Sequence, residues 1–224
     1  MTRLAIFDCD GTLVDSGATI YRALAETFAI HGAQMPPARD CRRVIGLSLT
    51  EAMAALLPDA DPQAHRQFAE TYKGCFMQAR AEGRVEEPLF DGILNLLDTL
   101  EGEGWLLAVA TGKSDRGLRH CLDSHNIHAR FISLQTADRH PSKPDPGMAL
   151  AAIAESGAAP QTTIVIGDTA FDMGMAKSAG AAGIGAAWGY HEAHELMAAG
   201  AVAVAQAPAE VALLAAAAMG GVGG

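Results

Sequence analysis

"LAIFDCDGTLVDSG", residues 4–17, is the stretch on which the fold turns. Its four leading residues are all apolar and run straight into Asp8, Cys9, Asp10, Gly11 and Thr12. A short apolar run without polar alternation reads as a strand buried on both faces, and the acidic, Gly-containing segment after it reads as a tight loop. A carboxylate that closes such a strand loses its hydration unless a cation or hydrogen bonds meet it, so Asp8 calls for a partner.

Outward from this stretch the same form recurs: "WLLAVAT" at 105–111, "TTIVIGD" at 162–168, "AAGIGAA" at 181–187 and the weaker "AVAVA" at 201–205. Helix-length stretches at 93–100, 115–123, 146–156 and 171–179 lie between them. Alternation of buried strands with helices predicts an α/β fold, a Rossmann-like parallel-sheet core with helices on both faces. Residues 16–83 read differently. Ile20, Leu24 and Phe28 are spaced by four, Met53, Leu56 and Leu57 share a face, and Phe68, Tyr72, Phe76 and Ala79 mark another helix, with Pro-containing turns between them. Several helices after a single strand predict an inserted helical-bundle cap at 16–84, with the α/β core domain formed by 1–15 and 85–224. Tyr72 and Phe76 are expected to serve as helix-core residues. One last helix is expected at 209–219, and "GGVGG" at 220–224 as a frayed tail.

The 224 residues suffice for one or two domains, and with half of them apolar and 19% charged, disorder is disfavoured. A formal charge of -10 argues against a nucleic-acid partner, because no cationic stripe is present to neutralise phosphates. A small anionic substrate remains compatible with it, since a local metal or lysine inverts the field of an acidic protein. Cys9, Cys41, Cys75 and Cys121 form no metal knuckle or CxxC pair and are expected to be reduced, packed thiols. No leader-like segment precedes the first strand and no apolar run reaches membrane-spanning length, so the expectation is a cytoplasmic protein without a membrane partner. Patterning leaves monomer and homodimer both open.

In an open parallel sheet, ligands bind beyond the carboxyl ends of the strands. Asp8, Thr111 and Asp168 each close an expected strand, and Lys143 lies in the "SKPDP" loop after "FISL". Each has a plainer reading: Asp168 as a turn former, Lys143 as an exposed loop lysine, Thr111-Gly112 as a helix cap ahead of 113–118. Asp8, Asp10, Asp168 and Asp172 cannot crowd one site without a countercharge. Mg²⁺ suits them, being a hard ion that takes a few carboxylates and phosphate oxygens, and no Cys/His cluster suggests zinc. The eight histidines are scattered; His191 and His194 sit three apart without a third ligand and are expected in helical or surface roles.

"DCDGTLVDS", "ATGKS", "SKPDP" and "GDTAFDM" resemble, in order, the four motifs of the haloacid dehalogenase-like phosphohydrolases, over most of the chain from Leu4 to about Trp188. The helical insertion and "AAWGYHEAHELMAAGA" are similar to the phosphoglycolate phosphatase-like branch. The resemblance implies Asp8 as the nucleophile that becomes an aspartyl phosphate, and Asp10 as general acid and then general base. It implies Thr111 and the Gly112 amide as holders of the phosphoryl group, and Lys143 as the charge beside it. Mg²⁺ would be ligated by Asp8, Asp168 and the Asp10 backbone carbonyl, with Asp172 orienting a metal-bound water or Lys143. Arg43, in "RRVIGLS", would be a cap contact that reads an anion, its plainer reading being an exposed helix-end arginine.

These roles fit elementary chemistry, because an anionic nucleophile approaches an anionic ester only with positive charge between them. The implied activity is a Mg²⁺-dependent phosphatase acting on a small phosphorylated metabolite, phosphoglycolate being the first name. Sugar phosphates, nucleotides, pyrophosphate and phosphonoacetaldehyde are further substrates of related proteins; the last needs a cap lysine, and Lys73 is the only one in the expected cap. A phosphomutase acting on a sugar phosphate is the alternative, a non-catalytic phosphometabolite-binding protein the second alternative, and a dehalogenase would leave the additional carboxylates unused.

Overall fold

A computed structural model describes residues 1–220. Residues 221–224, part of the expected tail, lie outside the described residues. The core is a six-stranded sheet in the order β3-β2-β1-β4-β5-β6, formed by β1 (Arg3–Phe7), β2 (Trp105–Thr111), β3 (Phe131–Thr136), β4 (Thr163–Gly167), β5 (Ala182–Ala186) and β6 (Ala203–Ala205). Every adjacent pair is parallel.

The absence of polar alternation in β1 has a direct cause. Leu4 and Ile6 enter one apolar core, beside Met148, Ala149 and Ala152 of α7 (Gly147–Ser156) and Met175, Ala176 and Ala179 of α8 (Ala170–Ala179). Ala5 and Phe7 enter the other, with α5 (Ile93–Gly102), α6 (Asp115–Ser124) and α10 (Val211–Gly220). A strand covered on both faces has no polar side to present. Ala149 and Ala152 of α7 and Ala176 and Ala179 of α8, with their short side chains, let those helices lie close to the sheet.

Between β1 and α5 the chain forms four helices that make up a cap: α1 (Gly17–Ile30), α2 (Ala38–Arg43), α3 (Leu49–Leu56) and α4 (Pro62–Ala81). They share an apolar cluster of Leu24, Phe28, Cys41, Met53, Leu56, Phe68 and Ala69, in which the Phe28 and Phe68 rings meet edge to face at 5.2 Å. α4 starts where Asp61 accepts hydrogen bonds from the Gln63 and Ala64 amides with Pro62 in the first turn, a strong N-terminal signal. The two chain segments that join cap and core run antiparallel: Val14 bridges Leu89, Asp15 N donates to Pro88 O at 2.8 Å, and Phe90 N donates to Leu13 O at 3.0 Å.

The helix expected at 115–123 runs Asp115–Ser124, with Ser114 as its cap through a hydrogen bond from Gly117 N, and not from residue 113 as the plainer reading of Thr111-Gly112 would require. Thr111-Gly112 is therefore no helix cap, and Lys113 stays in the loop at the sheet edge. The short α2 and α9 (Ala193–Ala199) were not legible as helices, being only six and seven residues long. All four cysteines are free and buried; Cys9 packs in the core with its Sγ 3.8 Å from Cys121 Sγ.

Candidate active site

The sheet order reverses direction at β1, whose neighbours are β2 and β4, and at such a switch point adjacent loops part to leave a crevice. Asp8 follows β1, Thr111 closes β2 and Asp168 follows β4, so three neighbouring strands deliver them to one edge. The turn after Asp8 is made by Gly11 at φ +86°, where a side chain would be strained and would overlap the Asp168 carboxylate and the Tyr190 ring.

Asp8, Asp168 and Asp172 each place a carboxylate oxygen within 4.8 Å of the others. All three are buried, as is Lys143, whose Nζ lies 2.8 Å from Asp8 Oδ1 and 2.6 Å from Asp172 Oδ1. Lys143 is thus no exposed loop lysine. Asp168 is anchored by Thr12 Oγ1, which donates to Oδ1 at 2.8 Å, and by the Tyr190 amide, which donates to Oδ2 at 2.9 Å. Asp172 accepts from Thr169 N and Oγ1. Asp8 differs from both: beyond the ion pair with Lys143, neither of its oxygens accepts a hydrogen bond of good geometry.

These surroundings decide the ionisation. Burial pushes Asp8 up to about 7, with Lys143 pulling against it and Asp172 adding to it. Burial raises Asp168 well above the usual carboxylate range too, with Asp8 and Asp172 reinforcing it. Burial works against the Lys143 ammonium, but Asp172 and Asp8 outweigh it and hold the group above the ordinary lysine range. Three carboxylates around one ammonium leave an excess of negative charge in a dry site, a costly arrangement unless a cation joins it. The unsatisfied oxygens of Asp8 and the all-oxygen donor set fit a hard divalent ion such as Mg²⁺.

Asp10 does not join the three-carboxylate cluster. Its Oδ1 accepts a hydrogen bond from Ser16 Oγ and lies 2.8 Å from Lys113 Nζ. Lys113 in turn lies 2.6 Å from Glu87 Oε1, and Arg80 of α4 reaches Glu87 Oε2 at 3.1 Å. Burial would strip the Lys113 proton, but Asp10 and Glu87 outweigh it and hold the ammonium well above the ordinary range. Sequence reasoning missed Lys113 and Glu87. The available signal was the place of Lys113 two residues after a strand-closing threonine; Glu87 carried none. Thr12 holds Asp168, and the hydroxyl that steadies Asp10 is that of Ser16.

The cap lies directly over this edge. A Cβ at Gly112 would collide with Leu47 O and lie 3.0 Å from Gly46 O, while Ser48 N donates to Ser142 Oγ at 2.7 Å. Gly46 also faces Thr169, where an added Cβ would meet its side chain at 3.3 Å. The loop after α2 therefore touches the segments that carry Thr111, Lys143 and Asp168. Arg43, which precedes that loop, is half exposed and pairs with Glu195 of α9 at 2.5 Å, outside the carboxylate cluster. His191, expected in a helical or surface role, is buried instead: Ala170 N donates to its Nδ1, and its Nε2 lies 3.2 Å from Arg43 O in the cap. Tyr72, expected as a core residue, packs against the cap cluster, and its phenol is raised above the ordinary range by burial and by the charge of Asp10.

A family model described as "Haloacid dehalogenase-like hydrolase" matches residues 5–186. The "Probable phosphatase IndB" of Dickeya dadantii is 36% identical over 206 residues, covering 89% of this chain and 87% of that protein. A "Phosphoglycolate phosphatase" of Agrobacterium fabrum is 30% identical over 198 residues, covering 85% of this chain and 82% of its own. Among solved structures, a haloacid dehalogenase-like family hydrolase from Streptococcus pneumoniae superposes with a TM-score of 0.82 at 27% identity, over 95% of this chain and 98% of that one.

Proposed function

Because the chain belongs to the haloacid dehalogenase-like hydrolases, in their phosphoglycolate phosphatase-like branch, and is an enzyme of the phosphatase kind, we propose that it hydrolyses the phosphate monoester of a small metabolite through an aspartyl phosphate on Asp8. The observation that carries this reading is the state of Asp8: buried, facing Lys143, and with both carboxylate oxygens free of aligned hydrogen bonds. A carboxylate tied up by donors is a poor nucleophile, and here the Lys143 ammonium approaches Oδ1 while Oδ2 has no donor.

An oxygen of Asp8 attacks phosphorus and the bond to the leaving oxygen breaks, while Asp10 gives its proton to that oxygen. Asp10 then takes a proton from the water that opens the aspartyl phosphate, releasing inorganic phosphate and restoring Asp8. Lys143 offsets the charge of the transferring group, and Thr111 with the Gly112 amide holds its oxygens. Mg²⁺ held by Asp8, Asp168 and the Asp10 backbone carbonyl would supply Lewis-acid charge at the phosphoryl oxygens. Asp172 fixes Lys143 by accepting a hydrogen bond from its Nζ at 2.6 Å. Residues 16–84 act as the cap that covers the reaction and excludes water other than the hydrolytic one.

The leading substrate is 2-phosphoglycolate, supported by the named Agrobacterium relative. Arg43 is the proposed reader of a second anion on the leaving portion, held at the cap edge by Glu195. The test is a panel of phosphate monoesters, alkyl and sugar, assayed for phosphate release with Mg²⁺ and with chelator. Mg²⁺-dependent release supports the reading, and phosphate release unaffected by Asp8→Asn in contaminant-free enzyme overturns it. Conversion of a sugar phosphate to its isomer without phosphate release would favour a phosphomutase instead. Arg43→Ala should raise KM for 2-phosphoglycolate more than for a sugar phosphate with an uncharged leaving portion.

A further inference from the structure

Two segments join cap to core, and both bear on the same oxygen, one directly and one through Lys113. Ser16, on the outgoing segment, donates to Asp10 Oδ1. Glu87, on the returning segment, grips Lys113 at 2.6 Å, and Lys113 lies 2.8 Å from that same Oδ1. Glu87 and Lys113 are both nearly buried, with side chains 6% and 9% exposed, so this is not a loose surface pairing screened by water. The cap continues the chain: Arg80 of α4 holds the second oxygen of Glu87, and the Phe76 ring lies 5.5 Å from the Arg80 guanidinium and 5.8 Å from Lys113 Nζ. Positive and negative groups alternate from Arg80 through Glu87 and Lys113 to Asp10.

Both anchors of Asp10 fall on Oδ1, and no described side-chain or backbone group donates to Oδ2. A carboxyl fixed at one oxygen has a defined plane, and its other oxygen has a defined direction. We propose that Lys113, held by Glu87, is a positioning residue for the phosphoryl-transfer reaction: it fixes Oδ1 of Asp10 so that Oδ2 is presented to the leaving oxygen when the cap is closed. This rests on the assignment of Asp10 as the proton donor. Displacing such a group by about 1 Å is enough to cost a large factor in rate.

Leaving-group chemistry separates this role from a merely structural one. An alkyl alkoxide needs a proton as the phosphorus–oxygen bond breaks, whereas p-nitrophenolate leaves without one. The experiment measures kcat/KM for the most active alkyl phosphate of the panel and for p-nitrophenyl phosphate in wild type, Lys113→Met, Lys113→Arg, Glu87→Gln and Asp10→Asn. The expected result is a loss of at least about tenfold on the alkyl ester in Lys113→Met against less than about threefold on the aryl ester, with Lys113→Arg recovering most of it. Glu87→Gln should discriminate in the same sense, and it carries the test alone if Lys113→Met does not fold. Equal losses on both esters, or no loss on either, overturn the proposal. If Asp10→Asn discriminates while the Lys113 and Glu87 variants do not, the positioning role fails and the assignment of Asp10 survives. If Asp10→Asn does not discriminate, that assignment fails and the positioning role falls with it.

Discussion

Lys143 Nζ stands 2.8 Å from Asp8 Oδ1 with both side chains fully removed from water. The same ammonium also serves Asp172, and Asp168 lies alongside, so the nucleophile is held in a cluster whose negative charge exceeds its positive charge. Such a site is organised for a reaction at the expense of the fold that carries it.

Asp8→Asn is therefore expected to abolish phosphate release while raising the stability of the chelated protein at pH 8 by about 1–2 kcal/mol, because at that pH Asp8 is ionised, one buried charge leaves and the shape is kept. Urea unfolding in the presence of chelator checks it. An unchanged or lower midpoint would show that the carboxylate cluster is already balanced.

Metal dependence carries a sign that follows from Asp8. Its pKa stands near 7 in the folded chain against the usual 3.8, so the folded state binds a proton that the unfolded state has lost between these values. Stability of the metal-free protein should fall as pH rises through that window. Mg²⁺ at a hundred times its Kd adds about 2.7 kcal/mol where its ligands are ionised. The thermal shift on adding Mg²⁺ should be larger at pH 8 than at pH 5; equal shifts would contradict the assignment of Asp8 as a ligand.

Gly112→Ala is expected to lower kcat/KM by about a hundredfold, because its Cβ would collide with Leu47 O and hold the cap off the sheet edge. The core packing is untouched, so thermal unfolding should move little. Wild-type activity in this variant would mean that the cap loop does not need to approach Gly112 during turnover.

Phe28→Ala removes a fully buried ring from the cap's own cluster and should cost about 3–5 kcal/mol of cap stability. Because that cluster draws only on α1 to α4, a low-denaturant transition reported by cap probes should separate from unfolding of the sheet. A single coincident transition would show that cap and core unfold together.

The strands and the major helices were legible because each is written in consecutive residues. Buried runs such as residues 4–7 and 105–111 cannot be polar on either side, and spacings of four such as Ile20, Leu24 and Phe28 state their helix face directly. The short α2 and α9 were not, since six or seven residues give too little periodicity to count. Asp8, Lys143 and Asp168 were legible from their places at strand ends and in a loop, and Asp172 from the resemblance of its motif. Glu87 was not, because its function depends on Lys113 and Asp10, 26 and 77 residues away.

What the amino-acid order determined was the set of strands, the inserted helices and the identity of the carboxylates at the strand ends, all local consequences of burial and spacing. Only the tertiary structure decided how those charges were shared: Lys143 to Asp8 and Asp172, Thr12 to Asp168, Lys113 to Asp10 and Glu87. Coulombic and hydrogen-bond energies depend on distance in space and on the exclusion of water, and neither quantity exists until the sheet has closed and the cap has been laid across its edge.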